Sequence, residues 1–239
     1  MSANKPALKI LTTLLIVVAI IFSIEKKFLV TELRGESISH YEGLKWVDQL
    51  ILLVDDFEGL TDTVSLQKAS FFAYGNAKMM TDSSVTDGST ISSKNCIRIN
   101  WNGAYNYGGW GKGCGKNIDL NAATDYVNFR VFIPTTNKDT TIVKLMLEED
   151  DNFNGTLDQD QDDSWFTKVA LPATGKWQLI SIPLKNFADS NTGGDGQLNI
   201  TRKGGLHTII FAFDNPDKYT TEHKWYFDFV CFTNGPISE

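Results

Sequence analysis

From residue 51 onward, apolar and polar residues alternate in short runs. In Cys96–Trp101, the residues Ile97, Ile99 and Trp101 alternate with Arg98 and Asn100. In Tyr126–Ile133, Val127, Phe129, Val131 and Ile133 alternate with Asn128 and Arg130. Ile142–Glu149 sets Val143, Leu145 and Leu147 against Lys144 and Glu148. A period of two belongs to a strand with one buried face. Ile51–Phe57, Trp165–Leu171, Trp177–Leu184, Leu206–Phe213 and Trp225–Phe232 complete eight predicted strands, with a weaker one near Ser70–Tyr74. Clusters of Gly, Asn, Asp and Pro separate them. No segment keeps a helical period with caps, and strands do not alternate with helices. The expected fold is an all-β sandwich of jelly-roll type over residues 52–239.

The first 51 residues have another pattern. Lys5 and Lys9 precede an apolar run, Ile10–Ile24, which Glu25, Lys26 and Lys27 close. The run is about 15 residues, short of the ~20 of a spanning helix, but Phe28–Val30 extend it if the two lysines snorkel. No small-residue cleavage site and no lipid-bearing cysteine follows. Residues 1–30 are therefore expected to be an uncleaved signal anchor, a single transmembrane pass with its N-terminus inside. A cleaved signal peptide is the alternative. Either way the β domain would be periplasmic or extracellular. Residues 31–51 are expected to be a stalk, partly helical around Tyr41–Leu52.

At this point the order of motifs becomes informative. Val54-Asp55-Asp56-Phe57-Glu58-Gly59 resembles the opening strand of galactose-binding-like jelly rolls. Tyr107–Gly111 is similar to a glycine-rich aromatic strand of that group, and Ile118-Asp119-Leu120 followed by Tyr126–Val131 to its "Asp-Leu, then strand" unit. Trp177–Leu184 resembles its Trp-to-Pro strand, and Trp225–Val230 its closing strand with an aspartate. The resemblance spans residues 54–234 and is nearest to carbohydrate-binding modules of the β-glucanase-associated type. The complex I assembly-associated domain is a related family. It implies a non-catalytic domain that binds polysaccharide or surface glycan. It also implies a structural calcium between the first and last strands, with Asp56, Glu58 and Asp228 as ligands. A structural or assembly protein using the same sandwich to bind another protein is the rival reading, and a glycan-active enzyme a third.

Charge and composition narrow the chemistry. The net charge is −7. Eight acids and no base fall within 148–163 (Glu148, Glu149, Asp150, Asp151, Asp158, Asp160, Asp162, Asp163), so the rest is near balance. A nucleic-acid partner would need a basic surface, and none is present. Asp150-x-Asn152-x-Asn154-Gly155 matches the first half of a calcium loop of the EF-hand type, with Asp158 at its ninth position. Gln161 stands where a bidentate glutamate is expected. Asp150, Asn152, Asn154 and Asp158 are thus candidate calcium ligands, with a solvated loop as the alternative.

Trp101, Tyr105, Tyr107 and Trp110 crowd together with Asn102 and Asn106. Tyr105, Tyr107 and Trp110 are candidate stacking surfaces for sugars, with Asn102 and Asn106 for the hydroxyls; core packing is the alternative. Trp101, Trp177 and Trp225 are assigned to the core. Arg98, Asn100, Asn128, Arg130 and Lys144 fall on the polar side of their strands. Arg98 and Arg130, with Trp165, make a second candidate carbohydrate surface, or a plain solvated face. The three cysteines (Cys96, Cys114, Cys231) have no metal or redox spacing. A Cys96–Cys114 disulfide and buried free thiols are both open. There is no phosphate loop and no G-x-S-x-G, and His40, His207 and His223 lack ligand spacing. No catalytic residue is expected.

Overall fold

The computed structural model of the chain describes residues 46–85, 93–101, 107–116, 118–137, 140–198, 205–213 and 222–238. The predicted anchor, most of the predicted stalk, and Asn102, Tyr105 and Asn106 lie outside them. Among the described residues, no helix is long and apolar enough to cross a membrane.

Among the described residues, twelve strands build the domain. They are β1 (Leu50–Asp55), β2 (Phe71–Gly75), β3 (Ala77–Asp82), β4 (Cys96–Trp101), β5 (Gly108–Lys116), β6 (Asp125–Phe132), β7 (Thr141–Glu149), β8 (Ser164–Leu171), β9 (Trp177–Pro183), β10 (Ala188–Asp189), β11 (Leu206–Phe213) and β12 (His223–Asn234). One sheet runs β3-β4-β12-β6-β9, with β1 also paired to β12; the other runs β10-β8-β7-β11-β5-β2. Every pairing is antiparallel. This is the sandwich that the period-two pattern predicts.

The inner faces meet in an aromatic core. Trp101, Trp110, Trp225, Phe129, Phe211, Phe227 and Phe232 are fully buried. Trp110 stacks on Phe211 with ring centroids 4.3 Å apart, and Phe129 meets Phe211 edge-on at 5.1 Å. Rings of this size close the gap between two sheets with few atoms to spare.

Three expectations change here, and one open alternative is decided. A short helix, α1 (Thr63–Lys68), stands where none was expected; Asp62 accepts Ser65 N at 2.7 Å while Ser65 Oγ accepts Asp62 N at 3.0 Å, a two-way cap. The domain begins earlier than residue 52: Trp46 is buried against Phe229, with centroids 5.1 Å apart, and β1 opens at Leu50. Trp177 is not core. It pairs with Phe132 on the outward side of its sheet, half-buried, because it shares the parity of Arg130 and Phe132. The three cysteines are free, and Cys96 and Cys114 belong to different sheets.

Candidate functional site

The outer face of the second sheet carries an ordered set of side chains, which strand register defines row by row. In the central row Phe72 pairs with Gly111, Gly111 with Ile210, Ile210 with Met146, and Met146 with Phe166. The next row runs Tyr74, Gly109, Ala212, Lys144 and Lys168. On the other side the row is Gly113, Thr208, Glu148 and Ser164. An apolar band thus crosses five strands between polar margins. An outer sheet face left to water is normally polar throughout.

Glycines shape this face. Gly109 and Gly111 of β5 present no side chain, so the rings of β2 fold over them. A Cβ at Gly111 would lie 2.6 Å from Phe72 Cζ, and one at Gly109 would lie 2.9 Å from Tyr74 Oη. The Phe72 and Tyr74 rings stand 6.4 Å apart with planes tilted by 35°. Phe72 is 37% exposed and Tyr107, in phase with Gly109 and Gly111 just before β5, is 63% exposed. These are among the large apolar side chains that the described surface leaves open to water. Lys144 Nζ sits 4.3 Å above the Phe166 ring.

The margins supply hydrogen-bonding groups. His207 Nδ1 is 2.7 Å from Thr208 Oγ1. Burial pushes the Glu148 carboxyl above its usual range, while the Thr208 hydroxyl and the His207 ring pull it back. Burial also raises the Tyr74 phenol, and the charge of Glu148 adds to the shift. Rings beside carboxylate, hydroxyl and ammonium groups suit a ligand with apolar C–H faces and many hydroxyls.

The sequence-predicted residues fall elsewhere for the most part. Tyr107 is on this face. Trp110 is 1% exposed and stacked inside the sandwich. It has the opposite parity to Gly109 and Gly111, so it points inward. Trp165 is also buried, its indole N–H donating to Glu149 Oε2 at 2.6 Å. The polar stripe divides. Arg98, Asn100, Asn128 and Arg130 lie on the outer side of the first sheet, whereas Lys144 is in the second. Arg98 is half-buried and ion-paired with Asp82 at 2.5 Å, and Arg130 is 2% exposed opposite Asp228.

The acids predicted to hold calcium are engaged in other ways. Glu58 Oε1 accepts Ser93 Oγ at 3.0 Å, Lys94 N at 2.7 Å and Asn95 N at 3.1 Å. Asp56 Oδ1 accepts Glu58 N at 3.2 Å. Asp228 Oδ1 accepts Phe229 N at 2.7 Å, where Phe229 adopts φ 49°. That bulge is where β12 changes partner from β4 to β1, and the aspartate catches the amide it frees. Each of these three acids thus has one carboxylate oxygen engaged by neighbouring N–H or O–H groups. In the acidic loop, Asp150 accepts Asn154 N at 3.1 Å and Gly155 N at 2.8 Å. The side-chain amides of Asn152 and Asn154 both donate to Asp158 Oδ2, at 3.2 and 2.7 Å. Backbone and amide N–H groups thus gather around the carboxylates of this loop.

Residues 56–215 match the model of the family described as carbohydrate binding domain 30. The chain belongs to that family. No curated protein matches the module in sequence. Among solved structures it is similar to a family 11 carbohydrate-binding module from Clostridium thermocellum in complex with a beta-1,3-1,4-mixed-linked tetrasaccharide: 18% identity, 80% of this chain, 98% of that one, TM-score 0.51. It is also similar to an exo-beta-agarase, at 10% identity and TM-score 0.52, over 79% of this chain and 25% of the enzyme. At these identities the likeness concerns the jelly-roll fold.

Neither Phe72 nor Met146 is a candidate on sequence alone. The only signal for Phe72 was the weak strand at Ser70–Tyr74, and Met146 reads as one more apolar residue in an apolar strand.

Proposed function

We propose that the module binds a polysaccharide or surface glycan along the outer face of β2, β5, β11, β7 and β8, without acting on it chemically. The observation that carries this reading is the apolar row Phe72-Gly111-Ile210-Met146-Phe166, set between Tyr74 and Lys144 on one side and Thr208 and Glu148 on the other. Membership of a carbohydrate-binding family supports it. The beta-1,3-1,4-mixed-linked tetrasaccharide of the Clostridium thermocellum module makes mixed-linkage β-glucan the first ligand to try.

Affinity electrophoresis of the full chain through gels containing different polysaccharides tests the proposal. Retardation by at least one of them is expected. Phe72→Ala should weaken binding by about 1–3 kcal/mol, the scale of one aromatic contact, with the melting temperature little changed. Equal retardation of wild type and variant would remove the face from consideration. No retardation in any glycan, with a specific protein captured instead, would favour the protein-binding reading.

The apolar run Ile10–Ile24 supports display from the cell membrane, with the module on the outer side of it. Full-length protein is expected in the membrane fraction with residue 1 or 2 at its N-terminus. A mature N-terminus beyond residue 25 would replace the anchor with a cleaved signal peptide.

A further inference from the structure

The odd-numbered acids beside the loop have different surroundings from the even-numbered ones. Glu149 closes β7, Asp151 follows it, and Asp163 stands just before β8. Glu149 N donates to Asp163 O at 2.9 Å, and Asp163 N donates to Asp151 Oδ2 at 3.0 Å. The backbone thus holds three carboxylates in place, and one oxygen of each lies within 4.8 Å of the others. Glu149 is 2% exposed and Asp163 fully buried. Glu149 Oε2 is tied to the core through the Trp165 indole.

The Asp163 side chain is only half satisfied. Its Oδ2 accepts Gly196 N at 2.9 Å, whereas its Oδ1 is buried with no hydrogen-bond partner. Gly194 shows where that oxygen points. A Cβ there would collide with both Asp163 Oδ1 and Asp151 Oδ2, so the two oxygens face the same spot beside a residue that has no side chain. Burial, then the Asp163 charge and more weakly Asp195 and Asp162, push the Asp151 carboxyl up to about 6. Burial pushes Asp163 up as well. An orphan carboxylate oxygen beside two further acids is costly unless something positive joins it.

We propose that Glu149, Asp151 and Asp163 bind one hard divalent cation of the calcium class. All the donors are oxygen, with no imidazole or thiolate, and calcium takes oxygen ligands without the near-ideal octahedron that magnesium demands. The ion would tie together the two ends of the β7–β8 loop, beside the 191–196 segment. Asn191 already joins that segment to the loop, accepting Ser164 N at 2.8 Å and donating to Asp162 O at 2.7 Å. Glu148, on the carbohydrate face, is the neighbour of one ligand, so the clamp would steady that margin.

Calorimetric titration of chelator-treated full chain in detergent with calcium chloride, alongside melting curves, tests the site. One calcium per chain and a higher melting temperature are expected. Asp163→Asn keeps the shape but removes a charge. It should lower calcium affinity at least tenfold while raising the melting temperature of the cation-free protein, because a buried repulsion is gone. Asp158→Asn, in the even-numbered loop, should leave affinity within threefold. No heat and no melting shift at millimolar calcium would overturn the proposal. So would loss of the response in Asp158→Asn with its retention in Asp163→Asn, or tighter binding of magnesium than of calcium. If circular dichroism shows Asp163→Asn unfolded, Asp151→Asn at the half-buried ligand is read by the same criteria.

Discussion

Trp110→Ala is expected to lower stability by about 3–5 kcal/mol, the range for removing a large aromatic from a packed core. The indole is 1% exposed and lies almost parallel to Phe211, 4.3 Å away with 3° between planes. Phe227 at 5.0 Å and Phe71 at 6.3 Å enclose it. Few neighbours can relax into the space, because they belong to three different strands in both sheets. Alanine would therefore leave a cavity lined by rings that hold one another apart. Denaturant unfolding measures the change. The molecules that remain folded should bind glycan as the wild type does. A loss below about 1 kcal/mol, coupled to a loss of glycan affinity, would return Trp110 to the ligand surface.

Gly111→Val is expected to impair binding at least as much as Phe72→Ala, although the Phe72 ring is still present. A Cβ at residue 111 lies 2.6 Å from Phe72 Cζ and 2.7 Å from Ile209 O. The ring must leave its place over β5, and the contact with a backbone carbonyl costs stability, about 1–3 kcal/mol for an overpacked site. The central row then loses its flat floor and its ring at the same time. Comparing the two variants separates the position of Phe72 from its presence. Unchanged retardation of Gly111→Val in glycan-containing gels, with the lower stability confirmed, would mean that the ligand does not lie across β2 and β5.

The strands were legible because alternation is a local property. All eight predicted strands are present with ends displaced by at most two residues. A side chain on a half-buried strand must be apolar at every second position, whatever its neighbours are. β3 escaped because its burial is uneven: Ala77 and Asp82 are buried, with Met79 and Met80 between the extremes. α1 escaped because six residues give too few turns to show a period, and only the Asp62–Ser65 cap marks it.

The site was legible only in part. The sequence put weight on the aromatic, glycine-rich stretch around residues 105–110, and Tyr107 is indeed exposed there. It left Trp110 open between ligand and core, because clustering along the chain does not say which face a ring takes. The glycine at every second position of β5 did carry that information. If Gly109 and Gly111 face outward, Trp110 faces inward. The acidic run was recognised as a feature, but the residues were taken in the even-numbered phase of a helical calcium loop. Flanking strands also bring the odd-numbered Glu149, Asp151 and Asp163 together, which the sequence pattern did not single out.

Taken alone, the sequence determined the fold class and the inner and outer faces of regularly alternating strands such as β4, β6 and β7. Each follows from the order of residue types within a few positions. Which strands are neighbours was decided only in three dimensions. Register across β2, β5, β11, β7 and β8 turns five residues, scattered from Phe72 to Ile210, into one row. The same pairing brings acids up to fourteen residues apart (Glu149 and Asp163) within 4.8 Å and separates Lys144 from the arginines it resembles in sequence. Long-range pairing is not encoded in local periodicity, because any strand of the right period could supply the hydrogen bonds. Packing of the whole core selects the partner.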